Sequence, residues 1–413
     1  MNRGETMQRI KRRRLKKKPI IILVTCIVFL MSGIFLLTKT PKENIINNTS
    51  NLPLKENETK PQVKTYKTSL VMVGDALIHN SLYNDAYENK TYNFKKYLTY
   101  VKDYVEDFDL AYYNQETILG GTSIGLSSYP AFNSPQELGD AMVDAGFNLV
   151  SLATNHTLDR GEKAVKLSRE YWNRQEGVHA VGSYTSNDEK NNIESLILES
   201  NGITYAILNY TYGTNGIPVP SGKKYLVNLW DDTNNYEGYK KQVERDINRL
   251  RDKVDVLMVA MHWGREYTFE PTKLEKKTAK YLASLGVDIV IGTHPHVIQP
   301  VEYIDNTLVF YSLGNFISAQ TSSSCSNYKC FVGLMSSLKI TKTVTDTETT
   351  INITDIKNEL IYTYHKNYQD FQVIPFSNPD IKNYLKKYTS VYNEYAKVVK
   401  TDDERIQLVP CAN

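Results

Sequence analysis

The alternation of strand and helix is clearest between residues 254 and 296, which read VDVLMVAMHWGREYTFEPTKLEKKTAKYLASLGVDIVIGTHPH. Residues 254–261 are a short apolar run typical of a buried strand, and residues 272–285 have the spacing of an amphipathic helix. Gly286 ends that helix, and residues 288–292 are a second apolar run. Runs that are apolar throughout indicate parallel strands buried on both faces. This unit predicts an α/β fold.

Similar units lie on both sides of it. The other predicted strands are residues 69–73, 108–112, 147–153, 204–210 and 308–313, and the other predicted helices are residues 134–146 and 236–251. Strands that alternate with helices predict a largely parallel β core covered by helices on both faces. Residues 321–413 have a looser pattern, which predicts a C-terminal extension with further β segments and a helix over residues 381–400, packed on the core. No repeat period indicates a solenoid or a propeller.

The start of the sequence predicts a membrane anchor. Nine Lys or Arg and one acidic residue lie between residues 3 and 18, and residues 20–37 contain no charged residue. At about 1.5 Å per helical residue, that run suits a bilayer core of roughly 30 Å. No small-residue cleavage site follows it, which favours an uncleaved span over residues 20–38 rather than a cleaved secretory signal. The basic tail, residues 1–19, would then stay in the cytoplasm and the remainder would lie outside the cell.

The composition of the residues that follow the predicted span limits the partners that they can bind. Residues 39–66 are rich in Asn, Lys, Glu, Thr and Pro, which predicts a flexible stalk. Residues 19–413 contain 40 Lys and Arg against 45 Asp and Glu, so the net charge of +3 comes from the tail. We therefore expect no nucleic-acid partner, since that would require clustered Lys and Arg. Four cysteines make no disulfide framework; Cys325 and Cys330 either pair or stay free, and their spacing is weak evidence for a metal site.

The predicted strands end in polar side chains that suit metal ions. The carboxyl ends of parallel strands meet at one edge of a sheet, so we expect these groups to share a cleft. Imidazole and carboxylate groups bind Zn²⁺, Mn²⁺ or Fe²⁺, and a carboxylate between two ions suits a dinuclear hydrolytic centre. A single histidine is more often structural, but the shared placement favours a site. The residues concerned are Asp75, His79, Asn114, Glu116, Asn155, His156, His262, His294 and His296.

Six short motifs follow one another between residues 68 and 320. They are Gly74-Asp75, Asn114-Gln115-Glu116, TNHTLDRG at residues 154–161, HWGREY at residues 262–267, GTHPHVIQP at residues 292–300 and YSLGNF at residues 311–316. This set resembles the signature of the bacterial CapA/PgsA capsule-synthesis family, which is linked to poly-γ-glutamate and related to calcineurin-like metallophosphoesterases. The resemblance implies a metallophosphoesterase-like domain over residues 67–320, carried outside the cell by the anchor.

The resemblance also implies roles for the matching positions. His156 would assist the leaving group as the catalytic histidine, Asp159 would orient it, and His79 has weaker support as a ligand or proton relay. One or two divalent ions (Mn, Fe or Zn) would be the cofactors. The implied metal ligands are Asp75, Glu116, Asn155, His262, His294 and His296.

Two motif positions depart from the family pattern, and three others have more than one interpretation. Gln115 stands where the family usually has Leu, and Thr154 stands where it usually has Asn; neither change removes an implied ligand, although Thr154 changes the hydrogen bonding around Asn155. Trp263, Arg265 and Tyr267 either shape a substrate wall or are ordinary packing and surface residues.

Two functions fit these features. One is an extracellular metal-dependent hydrolase acting on a phosphoester or on a γ-linked amide of the polymer. The alternative is a non-catalytic component of capsule assembly or export that binds polymer or a partner protein; a wall phosphatase unrelated to capsule has less support. The expected partners are the membrane, other capsule-synthesis membrane proteins and an anionic polymer. Because the outer part is slightly acidic, it would hold such a polymer only through metal or a few local bases.

Overall fold

The computed structural model describes residues 63–230, 236–320, 323 and 325–413. Lys60–Asn413 form one compact unit. The predicted tail, the predicted span at residues 20–38 and the predicted stalk up to residue 62 lie outside the described residues. Within the described ranges, no helix combines the length and the apolar character needed to cross a bilayer.

The first half of the unit contains short strands and helices in alternation. Its strands are β1 (Lys64–Leu77), β2 (Tyr87–Glu88), β3 (Thr91–Tyr92), β4 (Leu110–Asn114), β5 (Leu149–Ser151), β6 (His179–Val181), β7 (Leu198–Ser200) and β8 (Ile203–Thr211). Its helices are α1 (Asn80–Ala86), α2 (Lys102–Glu106), α3 (Glu137–Asp144), α4 (Gly161–Trp172) and α5 (Asn187–Asn191).

The second half ends in long strands and two helices. Its strands are β9 (Val256–His262), β10 (Ile289–Thr293), β11 (Val301–Ile304), β12 (Thr307–Phe310), β13 (Asn315–Ser318), β14 (Val332–Val344), β15 (Thr349–Lys366), β16 (Gln369–Pro375) and β17 (Ile406–Leu408). Its helices are α6 (Tyr236–Leu250), α7 (Lys273–Ser284), α8 (Ile381–Tyr384) and α9 (Tyr388–Val399).

These strands form two principal sheets. The nine-stranded sheet has the order β16-β15-β14-β1-β4-β5-β6, with β13 beside β1 and β17 beside β15. Its β1, β4, β5 and β6 are parallel neighbours, whereas β14, β15 and β16 are antiparallel. The six-stranded sheet has the order β11-β12-β10-β9-β8-β7, and β8, β9, β10 and β12 are parallel. Both sheets are therefore mixed: the parallel strands form one half of the larger sheet and the centre of the smaller one.

The two sheets pack against each other, and helices cover their outer faces. Along β1, Leu70 and Met72 belong to the core cluster between the sheets, together with Met258 and Ile291 of the smaller sheet. Their neighbour Val71 faces the other way and packs with residues of α1 and α3. On the smaller sheet, residues of β9 and β10 pack in the same manner against α6 and α7. The order of layers is helix, sheet, sheet, helix.

The α/β class is confirmed, and the sheet arrangement differs from the prediction. We expected a largely parallel core with helices on both faces, but the sheets cover each other: the smaller sheet and the helices α8 and α9 share the inner face of the larger sheet. The helices α1, α3, α6 and α7 cover the outer faces. An apolar strand face looks the same in sequence whether a helix or a second sheet covers it. Two predicted β segments, residues 350–353 and 359–364, lie in the single strand β15, and the predicted helix over residues 381–400 is broken into α8 and α9.

Candidate metal centre

The centre lies where the parallel strands of both sheets end. Asp75 lies near the end of β1, which approaches the turn at Gly314 so closely that the backbone nitrogen of Asp75 donates a 2.9 Å hydrogen bond to the carbonyl of Gly314. A Cβ at Gly74 would lie 1.8 Å from that carbonyl oxygen, so only glycine fits there. His262 ends β9, and His294 directly follows β10. The two sheets together supply one cluster.

Three groups of side chains in this cluster can each hold a metal ion. They are Glu116, His262 and His294; Asp75, Glu116 and His296; and Glu266, His294 and His296. Within each group, the candidate ligand atoms all lie within 4.8 Å of one another. The groups overlap, because Glu116, His294 and His296 each belong to two of them. Shared ligands of this kind suit a site for one ion or for two adjacent ions.

The surroundings of the Glu116 carboxylate indicate whether these residues fit a cation. Glu116 is 1% exposed, and neither of its oxygens has a hydrogen-bond partner among the described residues. One oxygen lies 3.7 Å from Nε2 of His262 and the other 3.6 Å from Nδ1 of His296. Burial raises the pKa of Glu116 well above its ordinary value. A buried carboxylate without donors is costly, and a bound divalent ion would offset that cost, so the residues fit a metal.

The three histidines differ in charge state. Burial lowers the pKa of His262 and of His294 well below the ordinary value, so both imidazoles are neutral and able to donate a lone pair. For His296 burial acts in the same direction, but the charges of Glu116 and Asp75 outweigh it and raise its pKa to about 9. A proton on His296 and a divalent ion would stabilise the same two carboxylates. Metal and proton therefore compete at this position.

Neighbouring polar groups orient the predicted ligands. Oδ1 of Asn155 lies 2.9 Å from Nε2 of His262, so two of the predicted ligands are in direct contact. Nδ1 of the same imidazole lies 3.0 Å from the hydroxyl of Thr293. Asn114 donates a 2.7 Å hydrogen bond from Nδ2 to Oδ1 of Asp75. Partners of this kind hold metal ligands in position.

His156 and Asp159 form a separate pair beside the cluster. Oδ2 of Asp159 lies 2.7 Å from Nδ1 of His156 and also accepts a 2.7 Å hydrogen bond from the backbone nitrogen of Phe132. The ring of Phe132 packs edge-on against His156, with 4.8 Å between ring centres. Asp159 engages Nδ1 of His156, and the other ring nitrogen, Nε2, takes no part in this contact. The pairing has the geometry of a histidine oriented by a carboxylate.

Of the four remaining predicted positions, one lies on the wall of the centre and three lie outside the metal-binding groups described above. His79 is half-buried and packs edge-on against Phe132, and burial lowers its pKa to about 4. It belongs to none of the metal-binding groups found among the described residues. Trp263 is buried and donates from Nε1 to the carbonyl of Tyr311, which is packing, whereas Arg265 is exposed. Tyr267 lies against His296 at 5.9 Å between ring centres, on the wall of the centre.

The two departures from the family pattern are accommodated in different ways. Nε2 of Gln115 donates to the carbonyl of Thr117, within its own loop. The hydroxyl of Thr154 donates a 2.8 Å hydrogen bond to the backbone carbonyl of Glu116 and accepts from the backbone nitrogen of His156. Thr154 thus joins the segment that carries Glu116 to the segment that carries His156.

Sequence reasoning assigned no role to four further residues around the centre. Glu266 lies in the HWGREY motif, yet only the structure brings it beside His294 and His296. Tyr212 packs on His294 with 4.6 Å between ring centres, and its one sequence signal is its position after β8. Asn215 contacts Asn155 and His156, and Asn315 contacts His296, through hydrogen bonds that join distant segments.

The pairing of Cys325 with Cys330, left open by the sequence, is present as a disulfide. The loop that it closes is connected to the centre. Nδ2 of Asn315 donates a 2.9 Å hydrogen bond to the carbonyl of Cys330, and Oδ1 of the same amide lies 3.0 Å from Nδ1 of His296. The disulfide loop therefore helps to position Asn315 against His296.

Two curated relatives are similar to part of this chain. The PGA biosynthesis protein CapA of Bacillus subtilis (strain 168) is 29% identical over 188 residues, which cover 43% of this chain and 44% of the relative. The capsule biosynthesis protein CapA of Bacillus anthracis is 28% identical over 190 residues, which cover 46% of this chain and 44% of the relative. The matched segment thus spans less than half the length of each relative.

Similarity to solved structures is weak. The protein TT1561 of Thermus thermophilus matches with a TM-score of 0.35 and 7% identity, over 65% of this chain and 93% of the other. GAP50, the anchor in the inner membrane complex of Plasmodium, matches with a TM-score of 0.29 and 8% identity, over 84% of this chain and 98% of the other. Scores this low indicate neither a shared fold nor a shared function.

The family comparison covers most of the unit that carries the centre. Residues 69–320 match the family model for the bacterial capsule synthesis protein PGA_cap. All six motifs quoted from the sequence lie within those bounds, and so do the three metal-binding groups. The chain belongs to the PGA_cap family of bacterial capsule synthesis proteins.

Proposed function

We propose that this protein is a membrane-anchored, extracellular component of capsule synthesis that hydrolyses a bond of an anionic polymer, or of a phosphoester related to it, at a divalent-metal centre. Family membership supports the assignment to capsule synthesis, and the two curated relatives are named for PGA and capsule biosynthesis. The basic segment and the apolar run at residues 20–37 support the anchor. The partners on this proposal are the membrane, other capsule-synthesis membrane proteins and the polymer.

The observation that carries the hydrolase proposal is the environment of Glu116. Both oxygens of this buried carboxylate lack hydrogen-bond donors among the described residues, and they lie between His262 and His296. A carboxylate placed only for stability would normally accept hydrogen bonds when buried. The arrangement therefore favours a ligand that the centre binds over a purely structural role.

On this proposal, different side chains of the centre bind the metal, donate a proton and exclude water. The residues that would hold metal are Asp75, Glu116, Asn155, His262, His294 and His296, with Glu266 at the exposed side. A divalent ion at such a centre lowers the pKa of bound water and neutralises charge on the reacting group. His156 would donate a proton from Nε2 to the leaving group, because Asp159 engages Nδ1 and keeps the ring in one orientation. Tyr212 and Phe132, which pack on His294 and His156, would limit the access of water.

The test compares two isosteric variants of buried glutamates. The full-length chain is purified in detergent without chelator, as wild type, Glu116→Gln and the control Glu359→Gln. Glu359 is also buried, and it accepts a hydrogen bond from Ser377. We expect the wild type and the control to retain a divalent metal by mass spectrometry and the Glu116→Gln variant to lose most of it. Hydrolysis of a generic phosphodiester and of poly-γ-glutamate is then measured on all three.

The outcomes separate the two functions considered for this family member. Metal in the wild type with turnover that Glu116→Gln abolishes supports the hydrolase. Metal without turnover of either substrate, together with loss of capsule in cells that carry Glu116→Gln, supports the non-catalytic assembly or export role instead. Absence of metal from the wild type would overturn the hydrolase proposal.

A further inference from the structure

A cavity of about 730 Å³ lies beside the centre, and none of the roles above uses it. We call it the loop cavity, because its walls come mainly from residues 212–229, the segment that follows β8. We propose that the loop cavity binds a carboxylate-bearing chain that extends from the reacting group, with Lys190 and Lys224 holding its carboxylates. This inference rests on the proposed function and deepens it, since it states where the acidic substrate lies.

The loop cavity adjoins the centre through two of its wall residues. Tyr212 and Asn215 line the cavity, and both also contact predicted site residues. The ring of Tyr212 packs on His294, and Oδ1 of Asn215 accepts a 3.2 Å hydrogen bond from Asn155. Nδ2 of Asn215 lies 3.3 Å from Nδ1 of His156. A ligand in the cavity would therefore reach the histidines at one end.

Much of the cavity wall suits aliphatic and peptide-like groups. The lining is largely apolar or glycine, and it includes Gly213, Gly216, Ile217, Pro218, Val219 and Val227. Ile217, Val219 and Val227 belong to a small core cluster with residues of α4, which gives the wall a fixed support. The volume lies within the roughly 300–1,000 Å³ that is usual for ligand sites. An extended chain with short aliphatic segments fits such a wall.

The charged part of the lining is basic. Lys190 and Lys224 line the cavity, and Nζ of Lys190 donates a 2.9 Å hydrogen bond to the carbonyl of Lys224. Across the described ranges, no carboxylate lies within ion-pair distance of either ammonium group. Asp246 exerts a favourable charge on Lys190, but from beyond ion-pair distance, and its carboxylate accepts a 2.9 Å hydrogen bond from the hydroxyl of Tyr210. Both ammonium groups therefore have capacity for an anion.

Lys223, the neighbour of Lys224 in sequence, differs from the two lysines of the cavity because its ammonium group is already paired. Lys223 precedes Lys224 in sequence but does not line the cavity, and its ammonium is paired with Glu162. Lys190 is half-buried, and burial lowers its pKa to about 8. A partly desolvated ammonium usually has an anionic partner. On the proposed function, the carboxylates of the polymer are that partner.

The experiment measures binding of a synthetic γ-linked pentaglutamate to the full-length chain in detergent by calorimetry. We expect Lys224→Met and Lys190→Met each to raise Kd by about tenfold, because each removes one charge-assisted contact. Lys223→Met, which changes the net charge equally, should stay within about twofold of the wild type. Val219→Trp, which fills the cavity without changing charge, should also weaken binding, and circular dichroism checks that each variant is folded.

Three results would overturn the proposal. Equal weakening by Lys223→Met would mean that binding follows net charge, and unchanged binding in Lys224→Met, Lys190→Met and Val219→Trp would place the chain elsewhere. Tighter, lysine-dependent binding of an oligomer that carries phosphates would reject carboxylates as the ligand. The test is independent of the proposed hydrolysis, since lysine-dependent binding of pentaglutamate in a protein without metal or turnover would support the cavity while rejecting the hydrolase.

Discussion

Lys342 of β14 donates a 2.7 Å hydrogen bond from Nζ to Oδ2 of Asp255, which precedes β9, so one ion pair joins the two sheets. Asp255 also accepts hydrogen bonds from the backbone and the hydroxyl of Thr204 at the start of β8. The side chains of Asp255 and Lys342 are 14% and 19% exposed, so the pair is largely shielded from solvent. The ion pair joins the two sheets at the end of β9 that is opposite to the centre.

Replacement of Asp255 by Asn should destabilise the protein in a pH-dependent way. Burial alone would raise the pKa of Asp255, but the hydrogen bonds from Lys342 and Thr204 outweigh it and lower the pKa below the ordinary value. The ionised carboxylate therefore stabilises the fold above about pH 4, and that stabilisation is lost as the pH falls through the lowered pKa. We expect Asp255→Asn to lower the free energy of unfolding by about 1–3 kcal/mol at pH 7 and by less at pH 3.

The control for this prediction is Asp355→Asn. Asp355 pairs with Lys339 at 2.9 Å, but both side chains are more than half exposed. Because exposed pairs contribute little, this variant should unfold at nearly the wild-type urea concentration. An effect of Asp255→Asn that is as large at pH 3 as at pH 7 would contradict the ion-pair explanation.

Replacement of Asp159 by Asn should reduce turnover without removing metal. Asp159 engages His156 and belongs to none of the metal-binding groups within the described residues. We expect kcat to fall by roughly 100-fold on whichever substrate the wild type hydrolyses, with KM little changed, because proton transfer to the leaving group would be impaired. Steady-state kinetics and metal analysis on the same preparation check this. Loss of metal from the variant would show that Asp159 has a structural role instead.

Replacement of Asn315 by Ala should weaken metal binding. Its amide positions His296 and is itself held by Cys330 and Gln320. Loss of such a support typically reduces metal affinity by about 10- to 100-fold. Competition with a chromogenic chelator measures the affinity, and Asn358→Ala, at another buried asparagine that hydrogen-bonds to Ser336, is the control. Equal affinities for the wild type and Asn315→Ala would exclude the positioning role.

Replacement of Gly74 by Ala should damage the fold near the centre. The added Cβ would lie 1.8 Å from the carbonyl oxygen of Gly314, so β1 and the turn at Gly314 would have to separate. We expect the free energy of unfolding to fall by about 1–3 kcal/mol, which circular dichroism would detect as a lower Tm. Gly213→Ala is the matched control, since nothing lies within 4 Å of a Cβ there. A wild-type Tm for Gly74→Ala would contradict the close approach.

Local sequence predicted most of the elements and the residue types of the centre. The helix α7 begins after Thr272, whose hydroxyl accepts from the backbone of Glu275 while the carboxylate of Glu275 accepts from the backbone of Thr272. Such caps depend on residues three positions apart and can be recognised in sequence. The predicted helix over residues 134–146 starts later than expected, at Glu137, without a side-chain cap. The position of Asp75, His262 and His294 at strand ends also followed from local pattern.

How the strands pair and which side chains meet could not be predicted from local sequence. The strands β14, β15 and β16 join the larger sheet beside β1, although 254 residues separate Leu77 from the start of β14 at Val332. The centre and its cavity also contain residues from three separate segments: Lys190, the pair Tyr212 and Asn215, and Asn315. The alternation of strand and helix and the types of side chain at the strand ends were predictable from the sequence, because both depend on neighbouring residues. The sheet order and the composition of the site depend on contacts between distant segments, which periodicity does not record.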